Sequence, residues 1–124
     1  MGKALVVDDS RATRMILSKT LSELGFEVLQ ASNGVEALDV MAQQGGSVNL
    51  ALVDWNMPKM TGIELVRELR SDPGYNHVFL MMVTTETEVE QIARALEYGA
   101  NEYMMKPFSR EAVEDKLRLM GVIQ

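Results

Sequence analysis

The chain has 124 residues, enough for one domain that buries a core without a disulfide or a structural metal. Hydrophobic residues make up 47% and charged residues 24%, which excludes a disordered chain, a collagen-like repeat and a membrane span. Eighteen acidic side chains against twelve basic ones leave a net charge of −6, a poor match for nucleic acid or an anionic membrane surface. There is no cysteine, so disulfides, thiolate nucleophiles and Cys-based metal sites are ruled out together. A single histidine, His77, argues against an all-His zinc site and against a Ser-His-Asp triad.

The first apolar run, Ala4–Val7, stops at Asp8-Asp9 and is too short for a signal-peptide core, so a cytoplasmic protein is expected. Further runs follow at Phe26–Leu29, Leu50–Val53, Val78–Val83 and Tyr103–Met105, their starts 22 to 28 residues apart. Helical periodicity fills each gap. Leu17, Leu21 and Leu24 mark the first helix, and Val35, Leu38 and Met41 the second. Ile63, Val66 and Leu69 mark the third, Val89, Ile92, Ala93 and Leu96 the fourth, and Val113, Leu117 and Met120 the fifth. Thr61-x-x-Glu64 and Thr87-x-x-Glu90 read as capping boxes, and Ser10, Asn33 and Ser109 as N-caps. Gly25, Gly45, Gly99 and Gly121 stand where left-handed C-caps belong, and Ser71-Asp72-Pro73-Gly74 is a turn.

Five β-α alternations imply a parallel sheet with helices on both faces, since right-handed crossovers place them there. Strands 1, 3 and 4 are continuously apolar and therefore central. Strand 2 carries Glu27 and strand 5 is short, so both belong at edges. The expected order is 2-1-3-4-5, with a switch point between strands 1 and 3 where ligands bind beyond the carboxyl ends. Strand 1 ends there in Asp8-Asp9, strand 3 in Asp54, strand 4 in Thr84, and strand 5 runs into Lys106-Pro107. The far edge strand ends in Ala31-Ser32 and brings no charge.

Singly, each of these residues has an ordinary structural reading: an Asp before a helix is usually a cap, and a Lys is usually solvated. Their joint placement is what carries meaning. Carboxylates about 5 Å apart repel by about 3 kcal/mol at an effective dielectric of 20, so such a cluster implies a bound cation. An all-oxygen donor set favours Mg²⁺, with Mn²⁺ an alternative. A carboxylate is also a nucleophile toward phosphorus; a metal and a lysine would stabilise the charge of the transferring phosphoryl group, and Thr84 would donate a hydrogen bond to one of its oxygens.

Val7-Asp8-Asp9-Ser10, Val53-Asp54-Trp55-Asn56-Met57-Pro58, Val83-Thr84-Thr85-Glu86 and Lys106-Pro107-Phe108, in this order and at these intervals, resemble the receiver domain of two-component response regulators. The resemblance is greatest to stand-alone, CheY-like chemotaxis proteins and covers the whole length as one domain, 1–124. It implies a flavodoxin-like doubly wound fold. Asp54 would accept a phosphoryl group from a histidine kinase or acetyl phosphate. Asp9, Asp54 and the Asn56 backbone carbonyl would hold Mg²⁺, with Asp8 acting mainly through water. Thr84 and Lys106 would bind phosphoryl oxygens. Asn56 and Glu86 would tune the lifetime of the aspartyl phosphate.

The resemblance further implies a cis peptide before Pro107, and a switch in which Thr84 and Tyr103 move and reshape the face of the fourth helix, fifth strand and fifth helix for a protein target. Tyr98, Asn101, Glu102 and Met104 are expected near that face. Thr85 stands where the family commonly has Ala, which bears on donor access.

Ten methionines, including Met81, Met82, Met104 and Met105, read as core filler. Other functions remain: a receiver cut from a longer regulator, a phosphorelay shuttle, or a Mg²⁺-dependent phosphatase with an Asp nucleophile. Against the phosphatase, the second Asp expected two residues after the nucleophile is Asn56. Against a flavodoxin-like electron carrier, Asp8-Asp9 would repel a flavin phosphate. The expected protein is not an enzyme beyond its own phosphorylation and dephosphorylation, and stands alone.

Overall fold

The structure, a computed structural model, describes residues 2–85 and 89–124. The strands are β1 (Lys3–Val7), β2 (Glu27–Ala31), β3 (Val48–Asp54), β4 (Phe79–Thr84) and β5 (Glu102–Met105). They alternate with α1 (Arg11–Glu23), α2 (Gly34–Gln44), α3 (Gly62–Arg70), α4 (Val89–Glu97) and α5 (Arg110–Met120). The strands pair in parallel in the order β2-β1-β3-β4-β5, as the apolar runs imply.

Both faces of the three central strands are covered, which is why they read as unbroken apolar runs. Leu5, Val7, Val53, Leu80 and Met82 point to one face and pack on Ala37 and Met41 of α2, Leu65, Val66 and Leu69 of α3, and Ala95 of α4. Ala4, Val6, Leu52, Met81, Val83 and Met104 point to the other and meet Leu17 and Leu21 of α1 and Val113 and Leu117 of α5. Met81, Met82 and Met104 are core filler as expected, while Met105 is only half-buried. Met104 stands on β5 near the expected partner face, but it is 3% exposed and alternation along the strand turns its side chain into the core.

Ser10, Asn33, Thr61 and Ser109 each accept a hydrogen bond from the backbone N–H three residues on, and Thr61 and Glu64 close a reciprocal capping box. Residue 87, and with it the second capping box, lies outside the described residues, as does Glu86. The turn after α3 is a single 3₁₀ turn, Pro73–Tyr75, capped by Asp72.

At the amino-terminal end of the sheet, Arg70 joins four segments. Its guanidinium donates to the carbonyls of Tyr75, Val78 and Gly99 and to Asn101 Oδ1, at 2.6 to 2.9 Å. Asn101 Oδ1 also accepts the Leu80 N–H at 2.8 Å, so this side chain is structural and faces away from the switch-point end. Beside it, the Arg67 guanidinium lies 4.8 Å from the centre of the Tyr98 ring. His77 is exposed, as expected, with Nε2 2.8 Å from the Gly46 carbonyl.

Candidate functional site

The carboxyl ends of β1, β3, β4 and β5 carry Asp8, Asp54, Thr84 and Lys106 to one place. The sheet extends its pairing by one bond on each side of the site. Asp8 N–H donates to the Ala31 carbonyl at 3.1 Å, and Lys106 N–H to the Thr84 carbonyl at 2.8 Å. The backbones of these residues are therefore held by strand register, and only their side chains are left to chemistry. Val7 pairs with Val53, so Asp8 and Asp54 leave adjacent strands at the same level.

One oxygen each of Asp8, Asp9 and Asp54 lies within 4.8 Å of the others. Asp8 and Asp54 are buried and Asp9 is exposed. The Lys106 ammonium donates to Asp54 Oδ1 at 3.0 Å and to Asp8 Oδ2 at 3.1 Å. Asp8 Oδ1 is taken by the Ser10 N–H at 2.8 Å, so both its oxygens are committed. Thr84 is the last residue of β4 and 1% exposed. Asn56 is exposed in the β3–α3 loop, two residues beyond Asp54. The Lys106–Pro107 peptide is cis. Tyr103 lies half-buried on β5, on the α4 side of the sheet. A cleft of about 410 Å³ opens beside the cluster between Thr13 and Ile16 of α1 and Thr85, Lys106, Pro107 and Phe108.

Three carboxylates against one ammonium leave a local charge of −2, with oxygen as the only donor atom. That set fits a small hard divalent cation. Burial pushes the Asp54 carboxyl above its ordinary value of 3.8; the Lys106 hydrogen bond opposes this, and the charges of Asp8 and Asp9 add to it. Burial pulls the Lys106 ammonium down, but its hydrogen bonds to Asp54 and Asp8 outweigh this and hold it above its ordinary value.

A pH dependence follows. The folded state holds the Asp54 proton over a window in which the unfolded chain, at about 3.8, has lost it. The stability this represents is fully present below that ordinary value and is lost as pH rises through the raised one. In metal-free urea unfolding, the advantage of Asp54→Asn over wild type should grow as pH rises through this window and then level off. Parallel stability curves for the two proteins would refute it. Added Mg²⁺ should flatten the wild-type curve.

Two contributions escaped the sequence reading. Arg14 Nη1 donates to the Asp8 backbone carbonyl at 2.8 Å, a contact with no motif because its acceptor is main chain. Gly62, the first residue of α3, packs so closely that a Cβ there would collide with the Asp54 carbonyl oxygen and touch the Met82 methyl. Its N–H donates to the Trp55 carbonyl at 2.9 Å and closes the loop that follows Asp54. A glycine directly after a capping Thr was the available signal.

The family model described as "Response regulator receiver domain" matches residues 4–118. The chain belongs to the response regulator receiver family. Like this receiver in sequence is the chemotaxis protein CheY1 of Helicobacter pylori, 40% identical over 119 residues that cover 95% of each chain. Among solved structures, Vibrio cholerae chemotaxis protein CheY4 superposes with a TM-score of 0.89 at 36% identity, covering 97% of the receiver and 98% of CheY4. The Borrelia burgdorferi CheY in a CheX-CheY-BeF3-Mg+2 complex gives a TM-score of 0.87 at 25% identity, covering 99% and 90%. The receiver closely matches stand-alone CheY-type proteins, and the fold expected from its sequence is the one it has.

Proposed function

We propose that this receiver, one unit over residues 1–124, is switched by a phosphoryl group on Asp54. The observation that carries the reading is the Lys106 ammonium bridging Asp54 and Asp8 at 3.0 and 3.1 Å beside a third carboxylate, Asp9. Asp9, Asp54 and the Asn56 carbonyl would hold Mg²⁺ directly, with Mn²⁺ as a substitute and Asp8 acting through water. The ion would supply charge neutralisation between the carboxylates and the incoming phosphoryl group.

The chain's own residues do the rest. An Asp54 carboxylate oxygen attacks phosphorus as the bond to a phosphohistidine nitrogen of a kinase breaks, and the nitrogen keeps the electron pair. With acetyl phosphate the breaking bond is P–O and acetate leaves. Lys106 holds a positive charge at the phosphoryl oxygens, and Thr84 offers its hydroxyl. Nothing further is needed from an acid or base, which agrees with a protein that is not an enzyme of a separate reaction. Asn56 and Glu86 act on hydrolysis of the product. Thr84 and Tyr103 pass the change to the α4–β5–α5 face, where a protein target binds.

Among the described residues no helix is long and apolar enough to cross a membrane, and a cytoplasmic setting suits the acidic surface. A chemotaxis role is supported by the 40% identity to CheY1.

The test is intact-protein mass spectrometry after incubation with acetyl phosphate and Mg²⁺. One added phosphoryl group is expected in wild type and none in Asp54→Asn or with chelator present. Equal labelling of Asp54→Asn would reject the assignment. Sustained turnover of assorted phosphate esters would point to the phosphatase instead.

A further inference from the structure

β5 is an open edge of the sheet, with α4 on one face and α5 on the other. Tyr103 projects to the α4 face and packs against the core there. Lys116 comes from α5, on the opposite face, and reaches round the edge to put its ammonium 4.9 Å from the centre of the Tyr103 ring. That ammonium is held by Glu102, whose Oε1 accepts it at 3.3 Å and also accepts the Tyr103 N–H at 2.9 Å. Both ends of the contact are shielded, the side chains of Lys116 and Glu102 being 30% and 17% exposed.

A lysine on an edge strand commonly serves to discourage pairing with other strands. Such a lysine belongs in water. Lys116 lies on α5 instead, folded back onto the Tyr103 ring and anchored by Glu102, the neighbour of Tyr103 in β5, an arrangement that restrains the ring.

We infer that Glu102 and Lys116 form a latch that holds the Tyr103 ring in its present position and opposes the switched state. The inference rests on the reading of Tyr103 as the responding aromatic and adds what resists its movement. A cation over a ring is attracted only while the ring stays beneath it, so the contact stabilises one ring position selectively. Lys116 and Glu102 are positioning residues; neither touches the acid cluster. By reciprocity, whatever the latch contributes to the resting ring position must be overcome when the site is occupied, so releasing it tightens binding at the site by the same factor.

The experiment uses the full chain labelled with 3-fluorotyrosine, with ¹⁹F resonances assigned among Tyr75, Tyr98 and Tyr103 by Tyr103→Phe. Beryllofluoride with Mg²⁺ is the phosphoryl mimic, titrated through Trp55 emission. Lys116→Met keeps the length of the side chain and removes its charge. Glu102→Gln removes the anchor while leaving an acceptor for the Tyr103 N–H, and it serves if the first variant folds poorly. In both, the metal-free Tyr103 resonance is expected to move toward its wild-type beryllofluoride position. The mimic should bind about 3- to 10-fold tighter. Lys116→Arg, which can still stack and pair, should restore wild-type values.

A lysine that only shields the edge would move neither reading. Unchanged resonances and affinities in the two variants, with a normal wild-type response, overturn the latch and leave the receiver reading standing. A wild type whose Trp55 and Tyr103 signals ignore the mimic overturns the receiver reading and the latch with it.

Discussion

Replacing Lys106 by Met is expected to destabilise the metal-free receiver by about 3 kcal/mol and to abolish phosphorylation while Mg²⁺ still binds. An exposed ion pair would be worth no more than about 1 kcal/mol, but this one is not exposed. The Asp8 side chain is 1% accessible, that of Asp54 9% and that of Lys106 21%, and one ammonium serves both acids. Its loss leaves three carboxylate oxygens within 4.8 Å of one another with no cation among them. Part of the cost is relieved by Asp54 taking up a proton, so the defect should be smaller in acid and should grow toward neutral pH. Added Mg²⁺ should recover more stability in Lys106→Met than in wild type, because the ion meets less competing positive charge. Urea unfolding with and without Mg²⁺ measures the first effect and acetyl phosphate labelling the second. In the double variant Asp54→Asn/Lys106→Met most of the lost stability should return. Additive losses in that cycle would mean that the lysine is not neutralising Asp54.

Gly62→Ala should cost about 3 kcal/mol or more, against the sign that helix propensity alone would give. Within a helix, Ala is favoured over Gly by about 1 kcal/mol. Here the added methyl would run into the Asp54 carbonyl oxygen, a backbone atom of the central strand that cannot swing aside as a flexible side chain would. Either α3 lifts off the sheet or the end of β3 moves, and both displace the proposed phosphoacceptor. Lower thermal stability and slower acetyl phosphate labelling are expected together. Wild-type labelling in a stable Gly62→Ala protein would show that the close approach does not set the position of Asp54.

Strand order, the N-caps and the residues that meet at the carboxyl ends were legible because each depends on a local pattern that topology multiplies. Once β1, β3, β4 and β5 lie side by side, whatever follows each of them must converge, and Asp8, Asp54, Thr84 and Lys106 follow them. Edge placement of β2 and β5 came from Glu27 and from the brevity of the fifth run. What stayed hidden has long-range partners without a local signature. Arg70 looks like any helix-terminal arginine, yet it binds three carbonyls and an amide from residues 75 to 101. Lys116 reads as a solvated lysine, and only the fold brings Tyr103 under it. The resemblance to a binding face says that β5 is involved but not which side of it, and Met104 points to the core side.

The clasp made by Arg70 has a mechanical consequence for α4. The Gly99 carbonyl just past the end of that helix is bound at 2.9 Å, and the Tyr98 ring lies against Arg67, so the helix is tethered where it leaves toward β5. Its other end, at Val89, follows in the chain from the end of β4 at Thr84. A displacement of α4 that keeps this tether is a pivot about its carboxyl terminus, widest at the amino-terminal end. A lever of this kind converts a small pull near Thr84 into a change of tilt, and leaves the packing around Ala95 and Ala100 in place.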